Sequence, residues 1–341
     1  MEYPCCPPRI CIDNHPSHEF CYSLLAEAVY LKRVKLENKC LAEVAPEIIL
    51  LPDGGIIPLT VVQCNEPEGT CLLDTDDLMD KMGYVPGMRL TLSVTQGLEH
   101  TVDARYLGVL FWKGEDSAKC PGGVSFPFKS QSDSQGSDIL IDVDDWVGAD
   151  KAKGIYRSHL LSADLNYWNH VTPKKINYFS FAWTVGLRYL QVNEKFKLNF
   201  QKGSSASDWK ITTENVMFGF QTGLEFDVNP TCNFTWGLQW RLGALGNNAQ
   251  QSTLMKDFDN TEIIRDFQPC GLHYTFLVEL APFISFTFGN HGILRFSYEL
   301  LYLSDLALAP NQLGFSQSTP FLSHHGEALY HGGFLGLGFI F

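Results

Sequence analysis

Large apolar and small or polar residues alternate along this chain with a period of two, over stretches of ten residues or more. In 179–189, Phe179, Phe181, Trp183, Val185, Leu187 and Tyr189 share one face, and Ser180, Thr184, Gly186 and Arg188 share the other. The segment 232–244 repeats the pattern with Cys232, Phe234, Trp236, Leu238, Trp240, Leu242 and Ala244 opposite Asn233, Thr235, Gly237, Gln239, Arg241 and Gly243. Segments 216–228, 272–286 and 294–302 do the same. A period of two is the signature of a β-strand with one face in apolar surroundings. Strands this long exceed those of most globular proteins and match strands that cross a bilayer at a tilt.

The alternation predicts strands at 23–34, 86–97, 100–113, 155–169, 177–200, 208–228, 231–246, 269–288, 291–304 and 328–341. Short connections follow the second, fourth, sixth and eighth strands. Long connections are expected at about 35–85, 114–154, 247–268 and 305–327. The connection at 201–207 is shorter than its siblings, as it would be if the strands beside it rise beyond the membrane. An even strand number, both termini on one side and short turns on that side describe a transmembrane barrel with short periplasmic turns and long outer loops. The expected fold class is therefore all-β, a transmembrane antiparallel β-barrel of about ten strands over 23–341, preceded by a Cys-rich arm over 1–22. Outer-membrane lipid is its expected surroundings.

A soluble sandwich also alternates, but the sign of the two faces separates the cases. Here the apolar face is large and aromatic, while the other carries Gly, polar residues and mid-strand charges. Glycine on the inner face suits a narrow lumen with close backbone approach. Aromatic residues gather near the expected interfaces, Trp168, Tyr178, Phe226 and Phe288 below and Trp112, Tyr189 and Tyr302 above, as a headgroup-level girdle requires.

Composition narrows the picture further. Charged residues make up 18% of the chain and aromatics 13%, which argues against disorder. No run of about 18 uncharged apolar residues occurs, so helical spans are excluded. A net charge of -13 with 25 Lys and Arg argues against nucleic acid as a partner. Residues 1–20 contain no readable secretory signal, and the sequence is expected to begin at a mature or truncated start.

Ten cysteines are present. Cys5, Cys6, Cys11, Cys21, Cys40, Cys64, Cys71 and Cys120 are candidates for disulfides, within the chain or to envelope neighbours in an oxidising compartment. The alternative is a set of free thiols. Their spacing contains no paired knuckle of the zinc type.

Several segments resemble the beta barrel porin-7 family of outer-membrane proteins, best represented in planctomycetes and related bacteria. They are "FSFAWTVGLRYLQVNEKFKL" at 179–198, "TENVMFGFQTGLEF" at 213–226, "GALGNNAQQS" at 243–252, "YELLYLSDLALAPNQL" at 298–313 and "ALYHGGFLGLGFIF" at 328–341. "GMRLTLSV" and "DARYLGVLFW" fit its early strands more weakly. The resemblance covers residue 23 to the end and implies an outer-membrane barrel; it supplies no catalytic residues. The alternating last strand, ending on Phe341, resembles the signal that such proteins present to the barrel assembly machinery.

Twelve charges fall on the inward face: Glu27, Arg89, Asp103, Arg105, Asp164, Arg188, Glu225, Asp227, Arg241, Glu279, Arg295 and Glu299. Two readings stand. They form a charged constriction that selects small solutes or ions, or a salt-bridge network that fills a barrel little wider than the eight-stranded kind. The apolar stretch 46–64 is expected either to plug the lumen or to add strands. The acidic loop 114–154 holds "DVDDWVGAD" at 142–150, which lacks the Gly and closing Glu of an EF-hand loop and reads as a solvated acidic loop. The stretch around Ser130–Ser134 reads as flexible outer loop.

Candidate catalytic histidines are His159, His273, His324, His325 and His331, with no G-x-S-x-G or H-E-x-x-H motif beside them. No enzyme activity, cofactor or metal is expected. The leading expectation is porin-like passage of small solutes or ions. The alternatives are a closed structural or adhesive barrel cross-linked by disulfides and, third, a barrel enzyme with a His site at the loop rim.

Overall fold

The computed structural model describes residues 20–34, 38–45, 48–50, 56–58, 66–67, 69–97, 99–127, 146–171, 178–231, 233–257, 261–289, 291–313 and 321–341. Ten long strands close into an antiparallel barrel. They are β1 (Phe20–Val34), β6 (Val85–Gln96), β7 (His100–Ser125), β8 (Ala149–Val171), β9 (Phe179–Lys202), β10 (Ser205–Thr231), β11 (Phe234–Asp257), β13 (Cys270–Phe288), β14 (Gly292–Leu306) and β15 (Gly326–Ile340). Each pairs with the next, and β15 returns to β1. The ten expected strands are all present. Tight turns at Gly97, Gly203 and Gly289 take positive φ (63°, 58° and 59°), which glycine adopts without a Cβ penalty.

The remaining strands of the main sheet sit at the outer end. β2 (Cys40–Val44) pairs with β5 (Cys71–Asp74) and with the top of β7, and β12 (Glu262–Phe267) pairs with β11. β3 (Ile48–Leu50) and β4 (Ile56–Pro58) form a separate pair, so the described residues of the apolar stretch 46–64 add no strand to the barrel. A short helix α1 (Thr75–Asp80), capped by Asp74, follows β5. Its Leu78 lies so close to Gly114 that a Cβ there would come within 1.9 Å of the Leu78 carbonyl oxygen.

Two of the four long outer connections, those expected at 114–154 and 247–268, are markedly shorter than expected, because five strands rise well past the membrane. β7 runs to Ser125, β8 begins at Ala149, β11 runs to Asp257, and β9 meets β10 in a two-residue turn. The first strand begins at Phe20, inside the expected arm. Residues 1–19, with Cys5, Cys6 and Cys11, lie outside the described residues, as do Cys64, Cys232, Ser130–Ser134 and the acidic residues Asp133, Asp138, Asp142, Asp144 and Asp145.

The outward face carries the lipid belt. Val185, Leu187, Phe218, Phe220, Trp236, Leu242, Phe276 and Phe296 are all exposed, along with many neighbours. Two aromatics leave the expected girdle. In β7, Leu107 faces Ser162 and Leu110 faces Leu160, so β7 holds one extra residue and Val109 takes φ 64°. This bulge switches the inward parity of β7 from odd to even. Trp112 is thereby 1% exposed, inside the barrel, and its indole N–H donates to the Leu31 carbonyl at 3.2 Å. Trp168 also points inward, donating to Asp103 at 2.6 Å.

Candidate functional site: the charged lumen and its outer plug

The inward charges converge on one layer in the membrane half. Arg89 donates twice to Glu27, through Nη2 at 2.8 Å and through Nε, and once to Glu299 at 2.6 Å. Arg105 lies 3.1 Å from both Asp164 oxygens and 3.3 Å from Glu279. Arg188 reaches Glu279 at 2.6 Å, Ser162 at 3.0 Å and Gln221 at 3.3 Å. Arg241 also donates to Glu279. Glu279 therefore accepts from three guanidinium groups. Four arginines and four carboxylates make a layer that is neutral overall, with every member buried. Planar guanidinium forks suit this arrangement because one group can serve two carboxylates. Gly223 leaves room for it: a Cβ there would stand 2.9 Å from Cγ of Arg241.

Below this layer, toward the termini, lies a cavity of about 430 Å³ lined by Ser23, Thr91, Asp103, Glu225, Gln239 and Arg295, among others. Glu225 accepts from Gln239, Asp227 from Ser180 at 3.0 Å, and the Arg295 guanidinium lies over the Phe283 ring at 3.9 Å. All nine lumen-lining candidates thus point inward. Arg89, Arg105, Asp164, Arg188, Arg241, Glu279 and Glu299 join in ion pairs, while Glu225 and Arg295 line the cavity beneath them.

Above the layer the interior changes character. Leu160, Leu190, Val192, Phe196, Leu198, Phe200, Trp209 and Ile211 fill it, each at most 1% exposed. Residues 307–313, which follow β14, fold down into this space, turning through a short 3-10 segment (Ala309–Gln312). Asn215 holds it like a backbone partner, donating to the Ala307 carbonyl and accepting from the Ala307 N–H, both at 2.9 Å. Glu194 accepts from the Ala309 N–H at 2.8 Å and from Arg33. Gln312 ties the far end to Ser323, accepting from its N–H at 2.8 Å. Arg33 and Glu194 were absent from the expected lumen set. Arg33 follows Glu27 by six residues on the same face of β1, and that parity is the signal that points to it.

The cysteines divide. Cys40 and Cys71 form a disulfide across 31 residues, tying β2 to β5. Cys21 and Cys120 are also disulfide-bonded. Cys270 is a free, exposed thiol.

The histidines are scattered. His159 stacks on Phe111 at 4.4 Å, and His331 meets the Tyr298 hydroxyl at 2.5 Å. His273, His324 and His325 stack in a row at the outer rim, 4.6 and 4.3 Å apart. Burial, then the neighbouring His324, holds His273 below the usual histidine range. Among the described residues, none of these five pairs with a carboxylate, and no group of three side chains has the arrangement of a metal site. Of the expected acidic loop, Asp150 accepts backbone N–H groups of Gly122 and Gly203 at 2.9 and 2.7 Å.

No protein-family model matches the chain. No curated protein matches it either. Among solved structures it is similar to the outer-membrane protease OmpT of Escherichia coli, at 9% identity and a TM-score of 0.40, over 94% of this chain and 96% of that one. It is also similar to a Pseudomonas aeruginosa FadL homologue, at 7% identity and a TM-score of 0.23, over 94% and 90%. The translocator domain of the Neisseria meningitidis autotransporter NalP is a third, at 10% identity and a TM-score of 0.20, over 96% and 90%. At these scores the likenesses bear on neither substrate nor activity.

Proposed function

We propose that this chain is a closed barrel of a Gram-negative-type outer membrane, with a structural or adhesive role and no catalysed chemistry. One observation carries the reading: the neutral Arg–carboxylate layer lies directly beneath an apolar core and the pinned segment 307–313. A solute passing along the axis would have to break buried ion pairs and then cross the apolar packing. Removing one partner from such a pair costs about 3–5 kcal/mol, so transient opening by thermal motion is rare. The outer cap, clamped by Cys40–Cys71, is the surface offered to partners, and Cys270 is a candidate for intermolecular disulfides. The resemblance to the beta barrel porin-7 family agrees with an outer-membrane setting. The strand ending at Phe341 is the element offered to the assembly machinery.

Single-channel conductance of the refolded protein in a planar bilayer tests this reading. We expect no steps, with or without reductant. Stable steps in the unmodified protein would overturn it and favour the second reading, porin-like passage. The cavity of about 430 Å³ below the charge layer is what supports that alternative. It would require 307–313 to leave the lumen, and Asn215→Ala, which removes both Ala307 contacts, is the variant to record beside the wild type.

A further inference from the structure

The cavity beneath the charge layer is fronted by two opposite charges that do not meet. Arg295 lies over the Phe283 ring, 3.9 Å away, and its Nε–H is buried without a hydrogen-bond partner. Its guanidinium forms no hydrogen bond or ion pair among the described residues. The other arginines on the cavity wall, Arg89, Arg105 and Arg241, are engaged by carboxylates of the layer above. Glu225 is the carboxylate that acts on Arg295 most strongly, yet its own partner is the neutral amide of Gln239. Each charge is thus held by an uncharged neighbour, a ring or an amide, and both front the same cavity. A charge removed from bulk water without an opposite partner is costly, so the two together call for a ligand that supplies both partners.

The rest of the lining narrows the ligand. A carboxylate alone would suit Arg295 but would face Glu225 and, two residues along the same inward face, Asp227. An ammonium alone would suit Glu225 but would face Arg295. Ile293 stands one inward position nearer the turns than Arg295, and Gly338 pairs with both Ile293 and Leu25. With Ile340, these side chains make an apolar strip beside the guanidinium. Ser23, Thr91, Ser93 and Ser285 also front the cavity, and their hydroxyls form no hydrogen bond among the described residues. At about 430 Å³ the space has the size of a small-molecule site. We propose that this cavity binds a small zwitterion of the amino-acid type with an aliphatic side chain. Arg295 takes the carboxylate, which a planar guanidinium fork suits, and Ser285, directly opposite Arg295 in the register, supplies a further donor. Glu225 takes the ammonium, and the side chain lies along the strip of Leu25, Ile293 and Ile340. The site lies wholly below the charge layer, so its occupancy does not depend on whether the lumen is closed.

Calorimetric binding of leucine to the refolded full chain in detergent micelles tests the proposal. Isocaproate keeps the leucine skeleton without the ammonium, and isoamylamine keeps it without the carboxylate. Each should bind weaker than leucine by about tenfold or more, because a hydrogen-bonded charge is lost. Arg295→Gln and Glu225→Gln should each weaken leucine binding by a similar factor, while Lys256→Gln, on the outer wall, should leave it unchanged. A heat-modifiable gel shift identifies folded protein, and the two analogues test the wild type by itself should a variant fail to fold. The proposal is overturned if the wild type does not bind leucine, or if the folded Arg295→Gln variant keeps the wild-type affinity. Isocaproate binding as tightly as leucine would overturn it in favour of a plain anion site, and isoamylamine doing so in favour of a plain cation site. Conductance is a separate measurement, so failure here leaves the closed-barrel reading standing.

Discussion

The same five strands build two opposite kinds of barrel, one above the other. In β9, residues 179–189 point Phe, Trp, Val, Leu and Tyr outward and Ser, Ala, Thr, Gly and Arg inward. From 190 onward the phase of the backbone is unbroken but the chemistry inverts. Leu190, Val192, Phe196, Leu198 and Phe200 face inward and are buried, while Gln191, Asn193, Lys195, Lys197 and Asn199 face outward. β10 and β11 switch at the same level, where Met217 and Leu245 are the first buried apolar residues. The reason is the solvent. Below the switch, lipid lies outside and the lumen holds charge. Above it, water lies outside and the interior is an ordinary packed core. A strand's alternation therefore reports its surroundings as well as its conformation.

Four tests would break or sharpen this contrast, beginning with the largest. Glu279→Ala leaves Arg105, Arg188 and Arg241 without their shared acceptor, and we expect a loss of about 3–5 kcal/mol. Denaturant unfolding in lipid vesicles measures it; an unchanged midpoint would mean the layer is not the buried network described. In the outer half, Leu198→Ala removes a fully buried side chain and should cost about 2–5 kcal/mol. That loss should appear as faster proteolysis of the outer wall while the membrane half stays protected.

The third test uses one face of one strand. Leu242→Lys places a charge in the lipid belt and should cost about 2–4 kcal/mol. Ser252→Lys, ten residues further along the same outward face of β11, should stay within about 0.5 kcal/mol. Equal costs would remove the distinction between the halves.

The smallest effect belongs to Glu115, on the part of β7 outside the membrane. Hydrogen bonds from Lys113 and Lys153 hold its carboxyl down at about 2, from an ordinary 4.5. Because the folded value is depressed, its contribution is present above about 4.5 and is lost as the pH falls toward 2. The pair is exposed, so the effect should be slight and should fade with salt. Carbon-detected NMR titration of Glu115 checks the direction.

Much of the barrel was legible because period-two alternation is a local property. Each strand states its faces without reference to its neighbours, and the short turns at Gly97 and Gly289 state how strands connect. The inward placement of Arg188, Arg241 and Glu279 followed from parity alone. Trp112 was not legible in this way, because a single extra residue at Val109 reverses parity and leaves no mark in the alternation on either side. The inversion in β9 was written in the sequence at 190–200, where Lys195 and Lys197 alternate with Phe196 and Leu198. It becomes visible once each half of a strand is assigned its own solvent.

The sequence by itself determined the strand count, the lipid-facing side and most of the charges that enter the lumen, since each rests on residues two apart. Tertiary structure alone decided which charge meets which. Arg105, Arg188 and Arg241 come from three different strands, and nothing local brings them to one carboxylate. It also decided that 307–313 turns inward, because Asn215 and Glu194 lie 92 and 115 residues away from the N–H groups they hold. Closure of the lumen is a long-range property of this kind, set by which side chains share a level once ten strands have closed into a ring.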